Sequence, residues 1–176
     1  AGHSNDGGAV VKEILNFNQA IKIAYDFYLA HPDETLIVVT ADHNTGGLAV
    51  RFGDMSLIDY QKISKDQFGN YTKSILNSRR IFTWDDMKAE LKSLLGFWDK
   101  VSISESQEKV LMEKFENTFK MRNSADQKTL YNSFNEFSVE VFNILNEKSG
   151  FGWVATGHTG DPVPLFAIGR GAYEFM

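Results

Sequence analysis

A short run of β-branched and apolar residues, TLIVVT at 35–40, constrains the fold more than any other feature of the sequence. An apolar run of this length predicts a strand that is buried on both faces, as in a parallel sheet covered by helices. Residues 9–30 precede it with apolar side chains at nearly helical spacing, and His31-Pro32 ends that helix. A helix, a turn and a buried strand together predict one step of a layered α/β fold.

Composition divides the chain into three zones. Residues 1–52 and 151–176 contain the strand-like segments and most of the glycines, whereas residues about 53–150 are rich in Lys and Glu and predict helices. We therefore predict a single domain over 1–176, with an α/β core made of 1–52 and 151–176 and a largely helical insertion at about 53–150. Further strands are predicted at 48–52, 152–155 and 165–168.

Capping residues predict where the helices of the middle zone begin. Ser64 starts a helix to about 78, Thr83 precedes one that runs to 95, and Ser104 starts one to about 121. Ser124 or Asp126 is predicted to start the last helix, which runs to about 148. One apolar stripe is predicted on that helix, consisting of Leu130, Phe134, Phe137, Val141 and Ile144.

The overall composition excludes several classes of function. The net charge is −5 and the longest basic cluster is Arg79-Arg80, which disfavours nucleic acid as a partner. The chain has no Cys, which excludes disulfides, Cys-ligated zinc and thiol nucleophiles. No run of about 18 apolar residues is present, so no membrane-spanning helix is predicted. The sequence starts at Ala1 without a Met or a signal peptide, and we expect a processed or truncated start with any export signal upstream.

Three of the four histidines, His3, His43 and His158, lie in loops rich in glycine and small polar residues. Asp42 and His43 directly follow the predicted buried strand, which would hold both side chains rigidly, and imidazole with carboxylate suits zinc. The alternatives are solvated or locally hydrogen-bonded histidines and, for Asp42-His43, a turn or helix cap. The fourth histidine, His31, lies in a plain helix-to-strand turn and is predicted to be a surface residue.

Three segments of the sequence resemble motifs of the alkaline phosphatase family and occur in the family's order. The segment TADHNTGG at 40–47 is similar to the T-A-D-H-x-T-G-G signature, and AGHSND at 1–6 resembles the end of a zinc-binding motif. The third segment, GHTG at 157–160 followed by PVP at 162–164 and IGRGA at 168–172, resembles the last zinc-ligand region. The resemblance implies the C-terminal part of a three-layer α/β sandwich.

The resemblance also implies a set of ligands. In the family, two zinc ions lie beside a serine nucleophile with a magnesium nearby; His3 and His158 match ligands of the first zinc, and Asp42 and His43 match ligands of the second. The nucleophile, the phosphate-binding arginine, the remaining zinc ligands and the magnesium ligands belong to earlier parts of the family's sequences. No catalytic residue is therefore expected here, and Ser4 has no matching nucleophile context. We expect this chain alone to be inactive.

The implied substrate is a phosphate monoester, and the implied location is the periplasm or the extracellular space. Alternatives are a phosphodiesterase, sulfatase or phosphomutase of the same superfamily, or a non-catalytic module whose helices bind a partner. Because the strand at 36–39 is expected to need neighbours on both edges, we also expect a distorted sheet or self-association as a homo-oligomer or swapped dimer.

Overall fold

The computed structural model describes residues 1–78, 81–129 and 131–175. The predicted basic pair Arg79-Arg80, the stripe residue Leu130 and the last residue, Met176, lie outside the described residues. The α-helices are α1 Gly7–Ala30, α2 Lys65–Asn77, α3 Trp84–Leu95, α4 Glu105–Phe115 and α5 Glu136–Ser149. The strands are β1 Leu36–Val39, β2 Asn44–Thr45, β3 Ala49–Val50, β4 Gln127–Lys128, β5 Ser133–Phe134, β6 Phe151–Gly152, β7 His158–Thr159 and β8 Phe166–Gly169. No described helix has both the length and the apolar character that crossing a membrane requires.

Three antiparallel strand pairs join the two ends of the chain. The strand β1 pairs with β8, β2 with β7 and β3 with β6, so residues 36–50 run against residues 151–169. Next to the last pair, the Arg51 amide donates to the Gly150 carbonyl at 2.8 Å. We call these three strand pairs the α/β ladder. The helical region between β3 and β6 therefore begins and ends next to the β3–β6 pair of this ladder. The α/β class predicted from the sequence is confirmed.

The prediction that β1 is buried on both faces was wrong for this chain. Leu36 and Val38 share one face of the strand and remain 42% and 38% exposed, and β1 pairs with β8 antiparallel rather than parallel. The helix α1 is in a similar situation: it forms with Asp6 as its cap, but Ile23 and Phe27 are 72% and 59% exposed. The apolar spacing therefore correctly predicts the secondary structure but not the burial.

The buried apolar core lies in the helical region rather than in the α/β part. Aromatic and aliphatic side chains from α2 to α5 and the intervening turns form one cluster without solvent contact, including Phe68, Met87, Leu91, Leu95, Phe97, Leu111, Phe115, Phe137 and Phe142. Phe137 lies at its centre, with ring centroids of Phe68, Phe115 and Phe119 at 6.3, 5.9 and 5.6 Å. These apolar stripes stabilise the chain itself and are not available for a partner.

The predicted helix caps are confirmed at Ser64, Thr83 and Ser104, where each side chain accepts from the amide of the third helical residue. The helix predicted to reach 121 is regular only to Phe115 and continues as a π-helical turn, Glu116–Lys120.

The predicted start of the last helix at Ser124 or Asp126 was wrong. The strand β4 instead pairs antiparallel with β5, and the Thr129 hydroxyl accepts from the Asn132 amide at 3.0 Å. The helix α5 starts only after Asn135, whose side chain accepts from the Ser138 amide at 2.8 Å. Asn135 satisfies a free amide of the first turn, and this places the helix start there.

The strand predicted at 152–155 was also largely wrong, since only Phe151–Gly152 is strand. The amides of Val154 and Ala155 instead donate to the Gly46 carbonyl at 2.9 and 3.2 Å. The strand predicted at 165–168 is shifted by one residue, to Phe166–Gly169. The strand predicted at 48–52 is shorter, Ala49–Val50.

Candidate metal centre

The loop after β1 carries Asp42 and His43 and is tied to the loop that carries His158. Antiparallel pairing sets Asn44 against Thr159 and Thr45 against His158, so His43 and His158 come side by side. Gly46 has φ +74°, and a Cβ there would lie 2.5 Å from the Ala155 carbonyl oxygen. The glycines after His43 thus let the two loops approach closely.

The His3 segment reaches the same place from the N-terminal side. Residues Gly2–Ser4 form one turn of 3₁₀-helix, after which Asn5 adopts the left-handed conformation with φ 53°. The Asn5 side chain donates to the Ala155 carbonyl at 3.1 Å. A Cβ on Gly2 would lie 2.5 Å from Thr45 Oγ1, so this turn packs directly against β2.

The three imidazoles converge. The Nε2 atoms of His3 and His158 lie 3.1 Å apart, and the rings of His43 and His158 stack with centroids 3.4 Å apart. The centroids of His3 and His43 are 5.3 Å apart. Nitrogen atoms from all three residues lie within 4.8 Å of one another. Side chains separated widely in the sequence therefore present their donors to one small volume.

Asp42 lies at the edge of this cluster. Its Oδ2 is 3.4 Å from His43 Nε2, and its Oδ1 accepts from the His43 amide at 3.0 Å. The His43 Nδ1 lies 3.1 Å from the Asn44 carbonyl oxygen, which can only accept, so Nδ1 carries the proton. In the neutral ring Nε2 then presents a lone pair beside the Asp42 carboxylate. Two acceptors in this arrangement favour a shared cation.

The electrostatic environment favours the neutral form of His3. Burial lowers the pKa of the His3 imidazole, and the neighbouring His158 and His43 lower it further, while Asp42 acts in the opposite direction. A metal ligand has to be deprotonated at the coordinating nitrogen, so a lowered pKa favours coordination.

The structure brings together His3, His43 and His158, with Asp42 in contact with His43. The fourth histidine, His31, ends α1 on the exposed surface, where its amide donates to the Phe27 and Tyr28 carbonyls. The Ser4 hydroxyl donates to the Asp66 carboxylate, at 3.0 and 2.9 Å from its two oxygens.

One neighbour of the cluster was missed by the sequence analysis. The Tyr131 ring packs edge-on against His3, with centroids 4.6 Å apart. No local signal marks Tyr131, which lies in the segment that was assigned to a helix.

The three imidazoles and Asp42 form a candidate metal site on an α/β framework, and comparison with known proteins identifies the family. The alkaline phosphatase family model matches residues 1–176. Alkaline phosphatase 3 and Alkaline phosphatase 4 of Bacillus subtilis (strain 168) are 30% and 26% identical over 99% of this chain. The chain belongs to the alkaline phosphatase family.

Solved structures agree with this assignment. A cold-active alkaline phosphatase from the psychrophile Shewanella sp. superimposes with a TM-score of 0.69 and 28% identity, covering 99% of this chain and 38% of that one. The Thermus thermophilus alkaline phosphatase has a TM-score of 0.64 at 18% identity and covers 97% of this chain and 36% of that one, which shows a shared fold. The chain spans 34% and 33% of the length of the two Bacillus relatives.

Proposed function

We propose that this chain supplies part of a two-zinc centre that hydrolyses phosphate monoesters. His3 and His158 hold one zinc in this proposal, and Asp42 and His43 hold the other. The single observation that carries the proposal is the convergence of three imidazoles, together with Asp42, from three motifs that are distant in the sequence.

The distances fit this assignment of ligands. Two nitrogens bound to one tetrahedral zinc at about 2.0–2.1 Å are about 3.3 Å apart. The Nε2 atoms of His3 and His158 are 3.1 Å apart, close to that value. The stacked rings of His43 and His158 are nearly parallel, at 24°, and so suit two adjacent ions better than one shared ion.

His43, His3 and Asp42 each have a defined part in the proposed centre. The Asn44 carbonyl orients the His43 ring through Nδ1, which leaves Nε2 to coordinate. Burial and the neighbouring imidazoles lower the pKa of His3, which favours the deprotonated nitrogen that coordination requires. Asp42 adds a negative charge that balances the cation. A zinc pair held by these residues would lower the pKa of a hydroxyl or water and would place positive charge near the phosphoryl oxygens.

The nucleophile is proposed to lie outside this chain. Ser4 is the serine next to a proposed ligand, but its hydroxyl donates to Asp66 and not to an imidazole that would deprotonate it. We therefore propose that the chain alone does not turn over phosphate esters. Magnesium, which the resemblance implies, is proposed to be held mainly by residues outside this chain, and the whole protein is proposed to act in the periplasm or outside the cell.

A chimaera tests the activity. The chain would replace the matching third of Alkaline phosphatase 3 of Bacillus subtilis, and hydrolysis of a chromogenic phosphate monoester would be measured with zinc and magnesium. We expect activity from the chimaera, loss of that activity with His158→Ala, and little change with His31→Ala. Turnover by the isolated chain, or a chimaera whose activity survives His158→Ala, would contradict the proposal.

A further inference from the structure

We propose that Asp66, in the first turn of α2, is a positioning residue for His3. It fastens the His3 segment to the helical region and thereby sets where the His3 imidazole lies. We call the hydrogen bonds that Asp66 accepts from Ser4 and Asn132 the clamp. The clamp is seen in the contacts within the chain, and its consequence for zinc affinity rests on the proposed function above.

Asp66 holds two segments that are far apart in the sequence. Its Oδ1 and Oδ2 accept from the Ser4 hydroxyl at 3.0 and 2.9 Å, and the Asn132 side-chain amide also donates to Oδ1. Asp66 is half-buried and Ser4 is buried, so water competes weakly for these bonds. Hydrogen bonds to a charged acceptor are among the stronger ones in proteins.

The residue next to Asn132 contacts His3 itself. The Tyr131 ring lies at 85° to the His3 ring with centroids 4.6 Å apart. The turn between β4 and β5 therefore supplies an aromatic wall for His3 and an amide for Asp66 through neighbouring residues. If the bond between Asp66 and Asn132 is lost, Tyr131 is therefore expected to lose its fixed position beside His3.

The His3 segment needs such support because its own structure is weak. Its own backbone bonds are those of one 3₁₀ turn, from Ser4 to Ala1 and from Asn5 to Gly2, each 3.0 Å. Short 3₁₀ turns have poor hydrogen-bond geometry and little stability of their own.

A separate anchor holds the start of α1. The Asp6 carboxylate accepts from the Gln61 side chain at 2.8 Å and from the Lys65 amide at 2.7 Å. Loss of Asp66 would therefore loosen Ser4 and His3, whereas Asn5 keeps its bonds to Ala155 and Asn146 and α1 stays attached.

The first test uses NMR on the metal-free chain. We expect the wild type to show nuclear Overhauser contacts between the ring protons of His3 and Tyr131, and Asp66→Ala to lose them. The control is Asp85→Ala, which removes an exposed acid from the same position in the first turn of α3. Ser4→Ala removes the same hydrogen bond without altering α2 and keeps the test decisive if Asp66→Ala fails to fold.

The second test measures zinc affinity by competition with a chromophoric chelator. Residues that orient a metal ligand typically contribute 10- to 100-fold in affinity, and we expect about that loss in Asp66→Ala and in Ser4→Ala. Asp85→Ala should bind as the wild type does. Ring contacts that persist in both Asp66→Ala and Ser4→Ala overturn the clamp. Contacts that depend on Asp66 in a chain without zinc affinity support the clamp and contradict the proposed function.

Discussion

The Nε2 atoms of His3 and His158 lie 3.1 Å apart, although 155 residues separate them in the sequence. Pairing of β2 with β7 brings His158 beside His43, and packing of the N-terminal turn on Thr45 brings His3 to the same place. The helical region contributes as well, through Asp66 and Tyr131. Both the α/β ladder and the helical region therefore determine the geometry of the cluster.

The stability of the chain is expected to depend on the helical region. Phe137 is fully buried among aromatic rings, so Phe137→Ala should lower the free energy of unfolding by about 3–5 kcal/mol. Ile23→Ala on the exposed face of α1 should change it by no more than about 0.5 kcal/mol. Urea denaturation followed by circular dichroism measures both free energies of unfolding. Equal effects of the two substitutions would contradict the placement of the apolar core in the helical region.

Because of Lys65, the free energy of unfolding should change with pH in the alkaline range. It is only 2% exposed, and burial lowers its pKa to about 8 against the opposing attraction of Asp6 and Asp66. The unfolded state binds the proton up to about pH 10.4, so it holds more protons than the folded state between about pH 8 and 10.4. The free energy of unfolding therefore rises with pH through this window, and the penalty of the buried charge is fully present below pH 8.

Lys65→Met should remove that penalty while filling a similar volume. We expect the variant to be more stable at pH 7, by no more than about 3 kcal/mol, with an advantage that shrinks towards pH 10.4. Thermal or urea unfolding of both proteins from pH 6.5 to 10.5 gives the comparison. A difference in the free energy of unfolding between the two proteins that stays constant across that pH range would contradict a lowered pKa of Lys65.

The exposed apolar faces of α1 and β1 should drive self-association. Large contiguous apolar surfaces of a soluble protein are usually covered by another surface. Ile23 and Phe27 lie one helical turn apart on α1 and are both exposed, so replacing both with Lys should lower the mean mass measured by light scattering. Lysines at the exposed polar positions Asn18 and Gln19 add the same charge and should not. A wild-type chain that is monomeric at the same concentration would rule this out.

Local signals in the sequence predicted much of the secondary structure. The caps at Thr83 and Ser104 were predicted because the hydroxyl bonds the backbone amide three residues later, and the acidic or amide side chain there bonds the cap's own amide. The start of α5 was missed because Ser124 and Asp126 are equally good caps in isolation. The residues after Asp126 instead pair β4 with β5, and Asn132 bonds Asp66. That contact spans 66 residues and leaves no local pattern.

The candidate site was predicted by motif resemblance rather than by spacing. Residue chemistry favoured His3, Asp42, His43 and His158 as donors, but only the order of the motifs linked them before the structure brought the imidazoles together. The contribution of Tyr131 and Asp66 could not be predicted, since it depends on how the helical region packs. The exposure of α1 could not be predicted, because periodicity shows which side chains share a face and not whether anything covers it.

Zinc affinity of single-histidine variants tests the central claim most directly. The isolated chain and its His158→Ala and His31→Ala variants would be titrated with zinc by isothermal calorimetry at neutral pH. His158 lies in the cluster and His31 on the distant surface, so we expect zinc binding that His158→Ala weakens at least about tenfold and His31→Ala leaves unchanged. Equal affinities of all three proteins, or no zinc binding by the wild type, would contradict a metal centre at these residues.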